Sequence, residues 1–376
     1  MKIEGKKTPF YLVSYKKFSD NCAAIEDAFR KAWNGSLLFG YSVKTNHYPG
    51  LIKLAKERGW QAEVVSYDEM LLARELGFGH GQIICNGPVK GQMIEDAIEE
   101  EQILNLDHLR EIYEVCAYIK KKNISPEHLR IGLRVNFDLE HVCPGETTAG
   151  KSVSRFGICY ENGDIKTAID LLKESQISVV GLHMHTSTTS RSLHVFAELT
   201  KMVCQIVEEY QLDLKYIDIG GGFFGGRVLQ GKPTMTEYAD TIAEELKKVL
   251  DPHKTTLILE PGAAILATAV DYVTGVANIR EIRGEKIVTL DGTALHINPF
   301  MVNRTSDCDV LNTGDNIKEK QHICGCTCME LDRFGTLYDE KELTLDSTIL
   351  FHNAGAYTMA LNSDFIVKPP TVYIDM

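Results

Sequence analysis

Between Ser36 and Gly262 the chain alternates short β-branched or apolar runs with stretches that place apolar residues every three or four positions, the period of a helix with one buried face. Eight runs of strand length recur: SLLFGYSVK from Ser36, AEVVS from Ala62, IICNG from Ile83, ILNLD from Ile103, RIGLRVN from Arg130, ISVVGLHMH from Ile177, KYIDIGGG from Lys215 and TLILEPG from Thr256. They are nearly continuous in apolar residues, as parallel strands covered on both faces require. PGLIKLAKERG, YDEMLLARELG, IEDAIEEE, HLREIYEVCAYIKKKN and TEYADTIAEELKKVLD predict the intervening helices, several stopping at a glycine ahead of the next strand. Eight such units predict an α/β fold, a TIM-like (β/α)8 barrel with its active site at the strands' C-terminal ends. An open doubly wound sheet satisfies the same count.

After Gly262 the pattern changes. VDYVTGVANIREI, KIVTLDG, LTLDSTILFHNAG and PPTVYIDM predict a C-terminal β-rich domain of sandwich or barrel type. The expected division is a barrel over 30–265 and a β domain over 266–376, with 1–29 contributing to the latter through a strand in TPFYLVSY. A chain of 376 residues suits two domains. The stretch from Phe137 to Arg155 is the longest loop candidate, expected over the barrel mouth.

Apolar residues at 44% and charged residues at 24% describe an ordinary globular enzyme. Asp and Glu total 52 against 40 Lys and Arg, a net charge of -12, which argues against nucleic-acid or anionic-membrane partners and for a small molecule. The N-terminal segment MKIEGKKTPFYLV lacks the apolar core of a secretory signal, and no run is long enough to span a bilayer. Ten cysteines in that context predict reduced thiols in a cytoplasmic protein.

The candidate chemistry sits at the ends of these runs. YSVKTN ends the first strand with Lys44, either a lysine keeping its tip wet or a Schiff-base lysine. GLHMHTST puts His183 and His185 on one face with Met184 on the other, suiting a ring packed on a planar ligand or a core histidine better than a metal pair. IGGGFFGG offers Gly220, Gly221 and Gly222 where barrels of this kind bind phosphate, although a tight turn explains the glycines equally. LILEPG delivers Glu260 after three apolar residues; it needs a partner, either a basic side chain or a protonated pyridine nitrogen. HICGCTCMELD sets Cys324, Cys326 and Cys328 on one face if extended, but no second ligand pair follows and no metal is expected.

Taken in order, YSVKTN, GLHMHT, IDIGGG, LEPG, GCTCMELD and GAYT resemble the pyridoxal 5'-phosphate (PLP) dependent family that holds diaminopimelate, ornithine and related decarboxylases, over nearly the whole chain. The resemblance implies an alanine-racemase-like barrel, a C-terminal β domain and a homodimer with shared active sites. It implies that Lys44 forms the internal aldimine, His185 stacks on the ring, and Glu260 holds the pyridine nitrogen. Gly221, Gly222, Gly262, Thr188 and Tyr357 would bind phosphate or cofactor, with Arg134 near the ring hydroxyl and Glu63, Ser66 and Glu69 in an acidic segment around it. From the partner subunit, Cys328 would donate a proton, while Glu330 and Asp332 would contact the substrate amine. A carboxylate at Glu260 favours loss of carbon dioxide over racemisation.

Three features depart from the family pattern. Ala263 replaces the usual arginine after EPG, INPFM at Ile297 to Met301 lacks the arginine of the diaminopimelate enzymes' Arg-Pro-x-Met-Tyr pattern, and Met329 separates Cys328 from Glu330. TST after His185 also loses a glycine. The expected substrate is a specialised amino acid or conjugate, of siderophore or secondary-metabolite type. The alternatives are diaminopimelate itself, a PLP racemase or epimerase, a non-catalytic PLP-binding homologue, and a metal-dependent barrel hydrolase using His183, His185 and the cysteines.

Overall fold

The computed structural model describes residues 3, 5–227, 229–302, 307–362 and 364–375. The chain divides into two compact units, one of Cys22–Lys44 and Pro49–Ala264, the other of Met1–Asn21, Thr45–Tyr48 and Ile265–Met376.

The first unit is a closed parallel barrel. Its strands are β1 (Leu37–Ser42), β2 (Gln61–Val64), β3 (Ile83–Cys85), β4 (Ile103–Leu106), β5 (Arg130–Asn136), β6 (Gly181–His183), β7 (Tyr216–Asp218) and β8 (Thr256–Leu259). Each of the eight apolar runs supplies one strand, and β8 pairs with β1 as well as with β7. That closure excludes the open doubly wound sheet. Helices fall where the three- and four-residue spacing places them, among them Pro49–Glu57, Tyr67–Glu75, Leu109–Lys122 and Met235–Leu246.

The barrel interior shows why small residues interrupt two strands. Tyr216 on β7 is buried and its ring lies across Gly132 of β5 and Gly181 of β6, where a Cβ would stand 2.2 Å from its hydroxyl oxygen and 2.0 Å from its ring. Its hydroxyl donates to Asn105 Oδ1 at 2.8 Å, which satisfies the one polar atom of an otherwise apolar plug of Ile84, Ile103 and Ile258.

In the second unit, Val270–Ile282 lies between Thr348–Phe351 and Glu285–Leu290, followed by Ile317–Cys324 and Arg333–Lys341. Phe10–Ser14 pairs antiparallel with the first of these and parallel with Thr371–Asp375. The segment after Cys324 is a turn rather than a strand, so Cys324, Cys326 and Cys328 do not form the extended one-faced array that alternation suggests. All ten cysteines are free. Among the described residues no helix is long and apolar enough to cross a membrane.

Gly181→Ala is expected to lower the unfolding free energy by roughly 1–3 kcal/mol, the usual penalty for overpacking, because the Tyr216 ring has nowhere to retreat. Urea unfolding measures this, and an unchanged midpoint means that the ring is not lodged against β6.

Candidate functional site

Strand register sets the site. Ser42 pairs with Glu63, Arg134 with His183, and His183 with Asp218, so polar side chains from successive strands stand level at the C-terminal rim. Lys44 follows β1 in a single 3-10 turn, Val43–Thr45, and its Nζ donates to Glu63 Oε2 at 2.5 Å. Glu63 is fully buried while the Lys44 side chain keeps 31% of its surface.

Two amides extend this pair into a network. Asn86 Nδ2 donates to Glu63 Oε1 at 3.1 Å and to Glu260 Oε1 at 2.7 Å. Asn105 Nδ2 donates to Asn86 Oδ1 at 2.9 Å and to Asp218 Oδ2 at 3.3 Å. Asp218 also accepts from the Gly220 N-H at 2.8 Å. Neutral amides and one backbone N-H thus hold two buried carboxylates. Burial pushes Glu260 well above the usual carboxylate range, reinforced by the charges of Asp218 and Glu63, with Lys44 offsetting only part. Asp218 is raised as well, again first by burial. A pair of this kind retains a proton unless a cation arrives.

His183 and His185 share a face as alternation requires, with rings 6.2 Å apart and within 8° of parallel. His183 is buried, and among the described residues neither ring nitrogen finds a hydrogen-bond partner. Burial, then the charges of Arg134, His185 and Lys44, hold it well below the ordinary histidine value. His185 is pushed down to about 3 by burial and by Arg134 and Lys44. It presents a neutral ring whose Nδ1 accepts from the Gly221 N-H at 3.3 Å. Arg134 is fixed by Asp107 at 3.1 Å and by the His185 carbonyl at 3.2 Å, its guanidinium 4.7 Å from the Phe156 ring centre.

The glycine segment is a cradle rather than a simple turn. Gly220 and Gly222 have φ of +66° and +98°, where glycine is strongly preferred. A Cβ on Gly221 would stand 2.4 Å from the Glu260 carbonyl oxygen, whereas beyond Gly222 the space is open. Because His185 engages the Gly221 N-H, the open side of the cradle is at Gly222. Arg191, not singled out in the sequence, joins this region, with NH1 donating to the Phe223 carbonyl at 3.4 Å.

Several expected site residues prove to be locally committed. Ser66 caps the helix Tyr67–Glu75, and Glu69 accepts from the Val65 N-H at 2.8 Å, so these two form a helix cap, with Glu69 pushed up to about 7 mainly by burial. Thr188 Oγ1 accepts from the Arg191 N-H at 3.1 Å. In the other unit, Asp332 is 2% exposed and its carboxylate accepts from the Ala294 N-H, the Thr327 N-H and Thr327 Oγ1 at 2.8, 3.0 and 2.7 Å. It holds its own turn together. Glu330 is exposed and paired with Arg333. Cys328 is an exposed thiol, and Tyr357, at φ +55°, donates its backbone N-H to the Thr45 carbonyl at 2.9 Å. Asp218, Asn86 and Asn105 were legible only as lone polar residues at the ends of apolar runs.

The buried carboxylates attract a cation, the neutral His185 ring suits a flat aromatic group, and the open space at Gly222 suits an anion. Pyridoxal phosphate unites all three, since a protonated ring nitrogen, an aromatic face and a phosphate occur in one molecule. His183, Asp218 and Glu260 also converge within 4.8 Å, which by itself would suit a metal. The comparisons decide between them. The model of the family "Pyridoxal-dependent decarboxylase, pyridoxal binding domain" matches residues 17–267. The diaminopimelate decarboxylase of Aquifex aeolicus is 27% identical, aligned over 96% of this chain and 85% of its own. An L-glutamyl-[BtrI acyl-carrier protein] decarboxylase of Niallia circulans is 24% identical over 97% of this chain and 87% of its own. The crystal structure of Helicobacter pylori diaminopimelate decarboxylase complexed with L-lysine superposes with a TM-score of 0.84 at 23% identity, covering 99% and 93% of the two chains. With two thirds of its length matched, the chain belongs to the PLP-dependent decarboxylases, carboxy-lyases that act on amino acids.

Proposed function

We propose that the chain removes the α-carboxylate of a specialised amino acid or amino-acid conjugate, of siderophore or secondary-metabolite type, whose far end carries no free carboxylate. The observation that carries this reading is the chemistry of Ile297–Met301. Where the resemblance leads one to expect a carboxylate-clamping arginine, Asn298 folds onto Val302 through hydrogen bonds of 2.8 and 3.2 Å, and Phe300 and Val302 stand exposed. The next arginine in sequence, Arg304, lies outside the described residues. Ala263 likewise offers no cation after EPG. The Niallia relative, a decarboxylase named for a glutamyl group on an acyl-carrier protein, supports a conjugate.

PLP supplies an electron sink for the pair left behind when carbon dioxide departs. In this reading Lys44 would hold the cofactor, and Glu63 keeps its ammonium oriented. Glu260 would hold a protonated ring nitrogen, where an ion pair in a buried site of low polarity is strong, and Asn86 fixes the carboxylate's direction. His185 would offer its neutral ring as a flat face for the cofactor without competing for its proton, and Arg134, held by Asp107, would supply a cation for the ring hydroxyl. Gly222 opens the cradle for phosphate. Gly221 sets the backbone there, and the resemblance alone would have Gly262, Thr188 and Tyr357 contact the cofactor. Cys328, exposed and uncommitted to any fold-stabilising bond among the described residues, donates the final proton to a site in a second copy of the chain. The ten unpaired thiols support a reducing, cytoplasmic setting.

A second reading, diaminopimelate decarboxylation, is favoured by the names of most relatives. A carbon dioxide release screen over diaminopimelate, ornithine, lysine and glutamyl carrier-protein conjugates separates the two. The expected result is turnover of a substrate lacking a free distal carboxylate at least tenfold above diaminopimelate, about 1.4 kcal/mol of discrimination; diaminopimelate as the best substrate overturns the proposal.

Shared sites have their own test. Mixing inactive Lys44→Ala and Cys328→Ala chains is expected to restore about a quarter of wild-type activity, since random pairing makes half the dimers mixed, each with one intact site. No recovery in confirmed heterodimers contradicts a site shared between subunits.

A further inference from the structure

We propose that Cys143, Glu146 and His194 form a zinc-binding site in the barrel unit, separate from the buried carboxylate network. Cys143 Sγ lies 3.5 Å from His194 Nδ1, and Glu146 Oε1 lies 3.4 Å from the same nitrogen. All three ligand atoms fall within 4.8 Å of one another. Zinc bound to sulfur at about 2.3 Å and to nitrogen or oxygen at about 2.0–2.1 Å, with tetrahedral angles, sets its ligands about 3.5 Å apart for sulfur and nitrogen and about 3.3 Å for nitrogen and oxygen. The two measured edges match that tetrahedron. One thiolate, one imidazole and one carboxylate form a donor set that zinc accepts, leaving a fourth position for water.

The geometry argues against a nucleophilic Cys-His-Glu relay. Such a relay needs the base to meet the thiol through one ring nitrogen and the acid through the other. Here Cys143 and Glu146 both face Nδ1, where one proton cannot serve two partners, whereas a cation among the three serves each of them. The surroundings orient the ligands in the manner of a metal site. Glu146 Oε2 accepts from the Ser190 and Ser192 hydroxyls. His194 Nε2 lies 3.7 Å from Glu198, which favours the tautomer with Nε2 protonated and Nδ1 free to coordinate. Glu198 is itself paired with Lys201 at 2.6 Å.

Binding exchanges the Cys143 thiol proton for the metal and releases that proton to solvent. Cys143 is buried, and a metal charge offsets the cost of burying its thiolate. The His194 side chain is 54% exposed, giving the ion a route in. Once bound, it ties the Phe137–Arg155 loop to the helix Leu193–Tyr210. That loop already touches the segment after β6 through the Thr147–Thr188 bridge, so the metal would brace the Thr188 segment. The 48 and 51 residues separating these side chains in sequence hide the site from any spacing rule.

Purified holoenzyme loaded with zinc and then dialysed should retain about one zinc per chain by elemental analysis. Cobalt(II) in its place should show tetrahedral thiolate ligand-field bands in the red, clear of pyridoxal absorbance. Cys143→Ser, and separately the milder surface change His194→Ala, should each lower zinc affinity at least tenfold and remove the cobalt bands, while Cys326→Ser keeps both. Zinc retained at full stoichiometry by folded Cys143→Ser and His194→Ala proteins, or no zinc retained by the wild type, overturns the proposal.

Discussion

Asp218 and Glu260 are buried at the C-terminal rim of a barrel and take their hydrogen bonds from amides and a backbone N-H. Nearly every other feature of the site answers to that imbalance. A buried carboxylate without a counter-charge is costly, and burial raises the affinity of both groups for a proton. A cofactor that brings a protonated ring nitrogen can take over that role. In the proposed reading, binding energy and electronic control of the cofactor would then come from the same side chain, Glu260.

The barrel makes such an arrangement stable by filling its lower interior with a single large plug. Tyr216 occupies the space left by Gly132 and Gly181, and its hydroxyl anchors Asn105, which passes the constraint on to Asn86 and Asp218. A chain of directed hydrogen bonds therefore runs from the packed core to Glu260 and Glu63. Lys44 stands at its outer end, partly exposed and ready to be reached. Packing below fixes direction above, since Tyr216 sets Asn105 and Asn105 sets Asn86 and Asp218.

Much of this was legible in the chain itself. Eight apolar runs announced eight strands because a parallel barrel strand is covered on both faces, and the parity of His183 and His185 followed from the two-residue period. Glu260 stood out as a charge closing an apolar run. Asp218, Asn86 and Asn105 sit in the same kind of place, within KYIDIGGG, IICNG and ILNLD, yet only the three-dimensional network shows that they act together. Asp332, Ser66 and Glu69 show a further layer that spacing hides, since each also accepts hydrogen bonds within the chain. Motif spacing reports which residues recur in a family pattern and not which bonds each one makes. The cysteine turn failed for a related reason, as alternation predicts a shared face only where the backbone is extended.

The most direct measurement is borohydride treatment of the purified protein followed by peptide mapping. If Lys44 is the residue that the buried network positions for the cofactor, the pyridoxyl label is fixed on Lys44 and the visible cofactor band bleaches as it forms. A label on another lysine, such as the Glu111-paired Lys90, or no label on protein that carries the cofactor, would contradict the account.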